Sequence, residues 1–244
     1  MGAHKKSVEF HFSEMAEGYD RWFNSPLGQY VGNSERETVI SLLKPSPGEL
    51  ILDIGTGTGI YLMEIAKYGA TVVGLDISIR MLKILSKKLG EDGEQVRISL
   101  VLADAENLPF REQTFHKILN NTTLEFLPSP ERALSEAHRT LISGGSLIIG
   151  VLASTSLWAL ERRLRRVQAE NVYSYAKFYS LRKLRSLLKV SGFAVKEAKW
   201  SVYAPRGTPA KFIPLFEWLE GKLNALPIIK SIGAFLVVKA VSQS

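Results

Sequence analysis

The segment from Leu50 to Gly59 constrains this chain most, because it runs an apolar strand directly into a glycine-rich turn that opens a helix. Gly55, Gly57 and Gly59 carry no Cβ, so backbone N–H groups and the helix N-terminus can approach a ligand closely. The dinucleotide fingerprint G-x-G-x-x-G requires a glycine where Ile60 stands. The turn therefore predicts a nucleotide-like cofactor and disfavours a dinucleotide.

Two carboxylates accompany this turn. Asp53 precedes Gly55 by two residues, and Asp76 ends a second apolar strand 21 residues after Gly55. At that distance the next parallel strand delivers a carboxylate to a ribose diol. Paired acids repel a pyrophosphate but attract a sulfonium and an α-amino group. The pattern therefore favours a cationic cofactor without phosphate.

Five ordered sequence blocks carry a family resemblance. They are LDIGTGTG at 52–59, VVGLDIS at 72–78, LADAENLPF at 102–110, NNTTLEFLPSP at 120–130 and ALSEAHRTLISGG at 133–145. In this order and spacing they resemble the motifs of the class I S-adenosylmethionine-dependent methyltransferases, within the ubiquinone/menaquinone C-methyltransferase-like small-molecule subgroup. The resemblance implies S-adenosyl-L-methionine as cofactor, in-line methyl transfer to a small acceptor and release of S-adenosylhomocysteine.

The order of apolar patterns predicts the fold. Strand-like runs alternate with helical spacing from Leu50 onward, and alternating βα units force a parallel sheet with right-handed crossovers. With the antiparallel last strand of the resembled family, we expect an α/β, Rossmann-like, seven-stranded mostly parallel sheet with helices on both faces. An N-terminal helical lid and two helical insertions complete this expectation.

We expect one methyltransferase domain over residues 1–244. Its segments are a lid at 1–45, a cofactor-binding core at 46–153, helical insertions at 154–179 and 201–231, and completion of the core by 180–200 and 232–244. Within the lid, Ser34 and Glu37 form a capping-box signature, which predicts a helix that starts there and stops at Pro45.

The resemblance also assigns cofactor contacts residue by residue. It places the methionyl part against Gly55, Thr56, Gly57, Thr58 and Asn121, the turn or the α-amino group against Asp53, the ribose hydroxyls against Asp76, and the adenine against Ile77, Asp104 and Ala105. Two structural alternatives stay open, because Asp53 can cap the following turn and Asp104 can cap a helix that begins at Ala105.

The acceptor side offers two candidate catalytic residues. Tyr19 lies in the expected lid, where a phenol can orient an acceptor or contact the cofactor; packing within the lid is the alternative. Glu125 follows the fourth strand, where a general base can reach an acceptor proton; a solvent-facing loop position is its alternative. Phe126 takes a place that is often histidine in the resembled subgroup, which argues against a histidine mechanism.

No metal site is expected. The chain has no cysteine, and its four histidines, His4, His11, His116 and His138, lack the spacing of metal ligands. Asn120 and Asn121 alone do not provide the oxygen-ligand cluster that magnesium requires.

Composition indicates a cytoplasmic enzyme. Hydrophobic residues make up 45% and charged residues 23% of the chain, no apolar run approaches a membrane span, and the N-terminus lacks the apolar stretch of a signal peptide. The formal net charge is +7, and the segment 154–190 carries the whole excess. This basic segment is interpreted as a solvated helical face, with RNA or protein methylation through residues 162–189 as the alternative.

The two insertions suggest the kind of acceptor. Phe212, Phe216 and Trp218 are hypothesised to wall a pocket for a hydrophobic or amphipathic small molecule, with contact to a lipid surface left open. Core closure or a dimer interface is the alternative. A rival from another class is a cofactor-binding subunit that activates a partner without catalysing transfer. The motifs leave the acceptor atom and the oligomeric state undetermined.

Overall fold

The computed structural model describes residues 2–91, 97–165, 176–226 and 229–243. Its centre is a sheet of seven strands: β1 Leu50–Ile54, β2 Thr71–Asp76, β3 Ile98–Leu102, β4 Phe115–Asn121, β5 Leu141–Leu152, β6 Phe193–Ser201 and β7 Phe235–Ser242. The strand order is β3-β2-β1-β4-β5-β7-β6. Strands β1 to β5 pair in parallel, and β7 lies antiparallel between β5 and β6.

Eight α-helices of the described residues surround the sheet. They are α1 Gly2–Phe23, α2 Pro26–Leu43, α3 Ile60–Ala66, α4 Ile79–Glu91, α5 Pro130–Thr140, α6 Leu157–Arg165, α7 Leu181–Val190 and α8 Ile213–Ala225. Two buried apolar clusters, one on each face of the sheet, join the strands to these helices. The expected Rossmann-like fold with its helical additions is confirmed.

The strand order places the cofactor motif at the middle of the sheet. Strand β1 is flanked by β2 on one side and β4 on the other, so the strand order reverses next to β1. In open parallel sheets, ligands bind beyond the carboxyl ends of the strands at such a reversal. The glycine turn after β1 and the loops after β2 and β4 therefore meet at one edge.

The start of α2 differs from the prediction. Ser25 caps the helix by accepting a hydrogen bond from the Gly28 N–H at 3.1 Å, and Pro26 occupies the first turn. Ser34 lies buried in the middle of α2, where its hydroxyl donates to the Glu220 carboxylate. The capping-box prediction at Ser34 is therefore wrong, because that hydroxyl serves a tertiary contact.

The three aromatic residues expected to wall an acceptor pocket lie in or just before α8 and do not share one environment. Phe212 and Trp218 are exposed, Trp218 by 61%, whereas Phe216 packs against the core. None of the three lines the cavity described below. The prediction that they wall the acceptor pocket is wrong for the two exposed side chains. In the basic segment, the side chains of residues 162–165 and the whole of 166–175 lie outside the described residues.

Candidate cofactor-binding and acceptor site

The glycine turn after β1 is held against two neighbouring strands. The N–H groups of Gly55 and Thr56 donate to the Leu75 carbonyl of β2 at 2.7 and 3.0 Å. Gly55 adopts φ 75°, and a Cβ at that position would lie 2.0 Å from Thr123 Oγ1, in the loop after β4. Glycine is therefore required both by the backbone conformation and by the close approach of that loop.

Asp53 stabilises this turn through a hydrogen bond with Thr56. Its Oδ2 accepts a hydrogen bond from Thr56 Oγ1 at 2.7 Å, and the side chain is only 2% exposed. Burial and, to a smaller extent, the nearby negative charge of Asp76 raise the pKa of Asp53 to about 7, against the opposing effect of the Thr56 hydrogen bond. Asp53 does not line the cavity. The structure thus favours its role in the turn over contact with the α-amino group.

Asp76 stands at the end of β2 and faces the cavity. Its two oxygens accept hydrogen bonds from the N–H groups of Gly57 and Ser78, each at 2.8 Å. Burial raises the pKa of Asp76, and these backbone hydrogen bonds oppose that rise by favouring the carboxylate. The carboxylate is thereby fixed at the strand end where a ribose diol is expected.

A cavity that opens to solvent lies over these strand ends. Of the ten predicted cofactor residues, six line it: Gly55, Gly57, Asp76, Ile77, Asp104 and Ala105. The other four, Asp53, Thr56, Thr58 and Asn121, lie behind or beside its wall. Leu75, Met81 and Leu127 add apolar surface. This combination of an apolar wall and a few polar groups is typical of a cofactor site.

Asp104 lies in a turn and not at a helix start. Its Oδ1 accepts from the Glu106 N–H at 2.9 Å, and its carbonyl accepts from the Asn107 N–H at 2.9 Å. No helix begins at Ala105, so the helix-cap alternative for Asp104 is wrong. The turn brings Asp104 and Ala105 together at the cavity wall.

Thr58 connects the glycine turn to the N-terminal lid helix. Its Oγ1 donates to Asp20 Oδ1 at 2.7 Å, and Asp20 Oδ2 lies 2.6 Å from the Lys88 ammonium. Lys88 also donates to the Thr58 carbonyl at 3.0 Å. Sequence reasoning missed Asp20 and Lys88. We name Thr58, Asp20 and Lys88 the lid latch, because they tie α1 to the turn and to α4.

Tyr19 lines the cavity from α1, together with Glu9 and Phe12. Phe126, from the loop after β4, also lines the cavity, and its ring contacts Phe12 edge-on at 4.9 Å between centroids. The lid helix therefore forms part of the cavity wall. Tyr19 also packs edge-on against Phe23 at 5.6 Å, so packing within the lid and exposure to the cavity coexist.

Glu125 is completely buried, so the solvent-facing alternative is wrong. Its Oε1 accepts from the Leu152 N–H at 3.0 Å, whereas Oε2 has no hydrogen-bond partner among the described residues. Burial raises the pKa of Glu125 to about 8, against the effect of its backbone hydrogen bonds, and the negative charge of Glu35 adds to the rise. Glu125 does not line the described cavity.

Glu35 and Tyr61 form a second polar feature that sequence reasoning missed. The Tyr61 hydroxyl, at the start of α3, donates to Glu35 Oε2 on α2 at 3.1 Å. Burial raises the pKa of Glu35 to about 7 despite this hydrogen bond. Burial and the negative charge of Glu35 raise the pKa of Tyr61 well above its ordinary value, and interaction with Tyr19 adds to this. The Tyr61 hydroxyl therefore links α3 to α2 through Glu35.

Asn121 ends β4 beside these groups and is 5% exposed. Its Oδ1 occupies space over Gly150, where a Cβ would lie 1.9 Å away. The amide approaches the Tyr61 hydroxyl, but neither Oδ1 nor Nδ2 makes a hydrogen bond within the described part of the chain. A buried amide without partners is costly unless a ligand or water completes its hydrogen bonds.

Among the described residues, no three histidine, cysteine, aspartate or glutamate side chains are grouped as metal ligands would be. Within the same residues, no helix is both long enough and apolar enough to cross a bilayer.

The site fits S-adenosylmethionine on its own geometry. The fixed Asp76 carboxylate matches a ribose diol, and the Asp104 turn beside Ile77 matches an adenine with its amino group. Gly57 leaves open space within 4 Å of where a Cβ would stand, so the methionyl part can approach the turn closely.

Comparison with known proteins agrees with this geometry. A model of the methyltransferase domain family matches residues 52–149. An uncharacterized protein of Methanocaldococcus jannaschii is 32% identical over 192 residues, which cover 79% of this chain and 85% of that protein. The demethylmenaquinone methyltransferase of Lactobacillus johnsonii is 28% identical over 211 residues, covering 78% of this chain and 85% of the enzyme.

A solved structure shows the same architecture. It is a Thermotoga maritima S-adenosylmethionine-dependent methyltransferase, described as a possible histamine N-methyltransferase, with a TM-score of 0.70 and 26% identity. The match covers 96% of this chain and 99% of that protein. The chain belongs to the class I S-adenosylmethionine-dependent methyltransferases, and its cofactor is S-adenosyl-L-methionine.

Proposed function

We propose that this methyltransferase acts on a small amphipathic acceptor and releases S-adenosylhomocysteine. The proposal rests on one observation: the site has an apolar part and a polar part. The cavity wall is largely apolar, with Phe12, Phe126 and Leu127, while the polar groups of Tyr61 and Asn121 lie beside it. An acceptor with an apolar body and a polar reacting end matches both parts.

The chain's own residues would position the reactants and exclude water. The cofactor supplies a methyl group on a sulfonium, which is already activated toward displacement. Asp76 and the glycine turn fix one side, and the lid helix, held by the lid latch, covers the other. Bringing two reactants together in line, away from water, contributes most of the acceleration in such a reaction.

The first experiment is a calorimetric titration with S-adenosylmethionine. In Asp76→Ala the lost ribose hydrogen bonds should weaken binding by about 2 kcal/mol, or roughly 30-fold. Glu217→Gln, a change on the exposed surface of α8, serves as the matched control and should bind like the wild type. A folded wild type that binds no cofactor would refute the proposal. Binding without S-adenosylhomocysteine formation from any acceptor pool would favour the non-catalytic partner subunit.

The exposed face of α8 supports a second proposal, contact with an anionic lipid surface. Leu215 and Trp218 project outward on one stripe of the helix, and the Lys222 ammonium lies 3.3 Å from the centroid of the Trp218 ring. The opposite face is fixed by the Glu220 carboxylate, which accepts from the Val202 N–H at 2.7 Å. An outward stripe of leucine, tryptophan and lysine suits the boundary between acyl chains and anionic headgroups.

Vesicle sedimentation tests this surface. Vesicles of phosphatidylcholine with phosphatidylglycerol should retain the wild type, and phosphatidylcholine alone should retain less of it, because lysine attracts anionic lipid. Leu215→Ser combined with Trp218→Ser should abolish retention, while Glu217→Gln should preserve it. Equal sedimentation of the wild type and the double variant would refute lipid contact through α8.

A further inference from the structure

We propose that the acceptor is an amine, bound as an ammonium by a largely buried polar cluster beside the cofactor cavity, with Asn121 and Glu125 as its fully buried members. The acceptor cluster consists of Tyr19, Glu35, Tyr61, Asn121 and Glu125. This inference rests on the proposed methyltransferase function and names the chemical class of its acceptor. The members of the acceptor cluster come from α1, α2, α3, β4 and the loop after β4. These elements meet at the carboxyl ends of the parallel strands.

The position of the cluster follows from its contacts. Tyr19 lines the cavity and interacts with Tyr61, whose hydroxyl donates to Glu35 at 3.1 Å. Asn121 immediately precedes Thr122, which also lines the cavity. Glu35 and Glu125 are close enough for their charges to repel. Tyr19 therefore brings one end of the cluster to the cavity wall, and Asn121 adjoins that wall through Thr122.

The cluster offers hydrogen-bonding atoms that the protein does not use. Glu125 Oε2 is buried and unpartnered, and both polar atoms of the Asn121 amide are buried and unpartnered among the described residues. Buried polar atoms in native proteins nearly always form hydrogen bonds, and a buried atom without a hydrogen bond destabilises the fold. A ligand that presents several N–H donors would satisfy Glu125 Oε2 and Asn121 Oδ1 together.

The charges of the cluster favour an amine over a neutral acceptor. Neither Glu35 nor Glu125 forms an ion pair with a lysine or arginine in the described part of the chain. Within residues 2–91, 97–165, 176–226 and 229–243, the groups recorded as interacting with the Glu125 carboxyl are Glu35, Tyr179 and backbone N–H groups, and none of these is cationic. An ammonium supplies the missing counter-charge and can also lie against the rings of Tyr19 and Tyr61. A neutral quinol or alcohol supplies a donor without the charge.

The same carboxylates fit the proton balance of N-methylation. The bound ammonium transfers one proton to a cluster carboxylate, which leaves a nitrogen lone pair. That lone pair forms the new C–N bond while the bond from the methyl carbon to sulfur breaks, and the sulfur keeps the electron pair of that bond as S-adenosylhomocysteine. The methylated nitrogen then carries the positive charge that the sulfonium lost. Glu35 and Glu125 thereby act as base candidates next to the reacting end.

Binding measurements can test the proposal without turnover. We would titrate the enzyme, saturated with S-adenosylhomocysteine, with 2-phenylethylamine, tyramine and tryptamine, and with the matched alcohols 2-phenylethanol, tyrosol and tryptophol. At least one amine should bind tenfold or more tighter than its alcohol. Calorimetry in phosphate and in Tris at pH 7 should show net proton release, because the ammonium favours ionised carboxylates.

Two isosteric variants test whether the preference for amines depends on Glu35 and Glu125. Glu125→Gln and Glu35→Gln should each reduce the amine preference at least fivefold, while retained S-adenosylhomocysteine affinity shows that the fold and cofactor site are intact. Glu217→Gln should change nothing. Equal affinity for amines and alcohols, the absence of proton release, or failure of all three amines to bind a cofactor-loaded enzyme would overturn the amine proposal. Failure of the wild type to bind the cofactor would instead overturn the proposed function.

Discussion

The pH dependence of stability offers a direct measure of the buried Glu125 carboxyl group. Its pKa in the folded protein is raised to about 8 from an ordinary value of 4.5, chiefly by burial. Between these values the folded protein keeps a proton that the unfolded chain has lost. The free energy of unfolding therefore falls as the pH rises from about 4.5 to about 8, and this contribution is constant above that range. Glu35 and Asp53, each with a pKa raised to about 7, act in the same direction.

Glu125→Gln isolates one part of this dependence. The side-chain carbonyl of the introduced glutamine can still accept from the Leu152 N–H, as Glu125 Oε1 does at 3.0 Å, and no charge can form. Since one pKa unit corresponds to about 1.4 kcal/mol, a shift of this size amounts to roughly 5 kcal/mol at alkaline pH and about 1 kcal/mol at pH 5. The stability advantage of the variant should therefore grow by about 4 kcal/mol between pH 5 and pH 9.

Urea unfolding followed by tryptophan fluorescence at pH 5, 7 and 9 provides the assay. Glu217→Gln controls for the loss of one surface carboxylate. Wild-type and Glu125→Gln curves that stay separated by a constant free energy across this range would refute the reasoning. A stability difference that instead shrinks toward pH 9 would mean that Glu125 gains a stabilising partner when it ionises.

Three further substitutions test other contacts of the fold and the site. Asp20→Ala removes the centre of the lid latch and should weaken cofactor binding about fivefold by calorimetry, because one partly exposed ion pair and one hydrogen bond contribute about 1 kcal/mol. Gly150→Ala places a Cβ 1.9 Å from Asn121 Oδ1 and should lower urea stability by about 1–3 kcal/mol. Tyr30→Phe removes the hydroxyl that accepts from the Tyr203 N–H at 3.0 Å and should cost about 1–3 kcal/mol in the same assay.

The fold was predictable because its signals are local. The apolar strand predicted to begin at Leu50 is β1, and the predicted alternation of strands and helices follows it, except that a loop of described residues, 103–114, joins β3 to β4. Each element is bounded by a turn residue or cap close to it in sequence, such as Gly192 with φ 83° after α7. Hydrophobic periodicity between such boundaries is sufficient to predict the element and its buried face.

The errors occurred where a polar group finds a distant partner. Ser34 resembles a helix cap locally, but its hydroxyl donates to Glu220, 186 residues away. The same carboxylate accounts for the exposure of Trp218. Since Tyr30, Ser34 and the Val202 N–H all donate to Glu220, this charged residue turns inward and leaves Trp218 exposed. A prediction based on hydrophobic pattern alone assigns every glutamate to the solvent-facing side of a helix, so it does not anticipate an inward-facing Glu220.

The two halves of the site differ in predictability for the same reason. The cofactor side depends on a glycine turn and on acids at strand ends, all fixed by their own strands and loops. Glu125 is buried because a segment that follows much later in the chain covers it, with the Lys177 N–H donating to its carbonyl at 2.9 Å. The carboxylate then meets Glu35, on a helix that precedes the sheet. Only the assembled structure brings these two acids together, so the chemistry that would select an acceptor has no local pattern in the sequence.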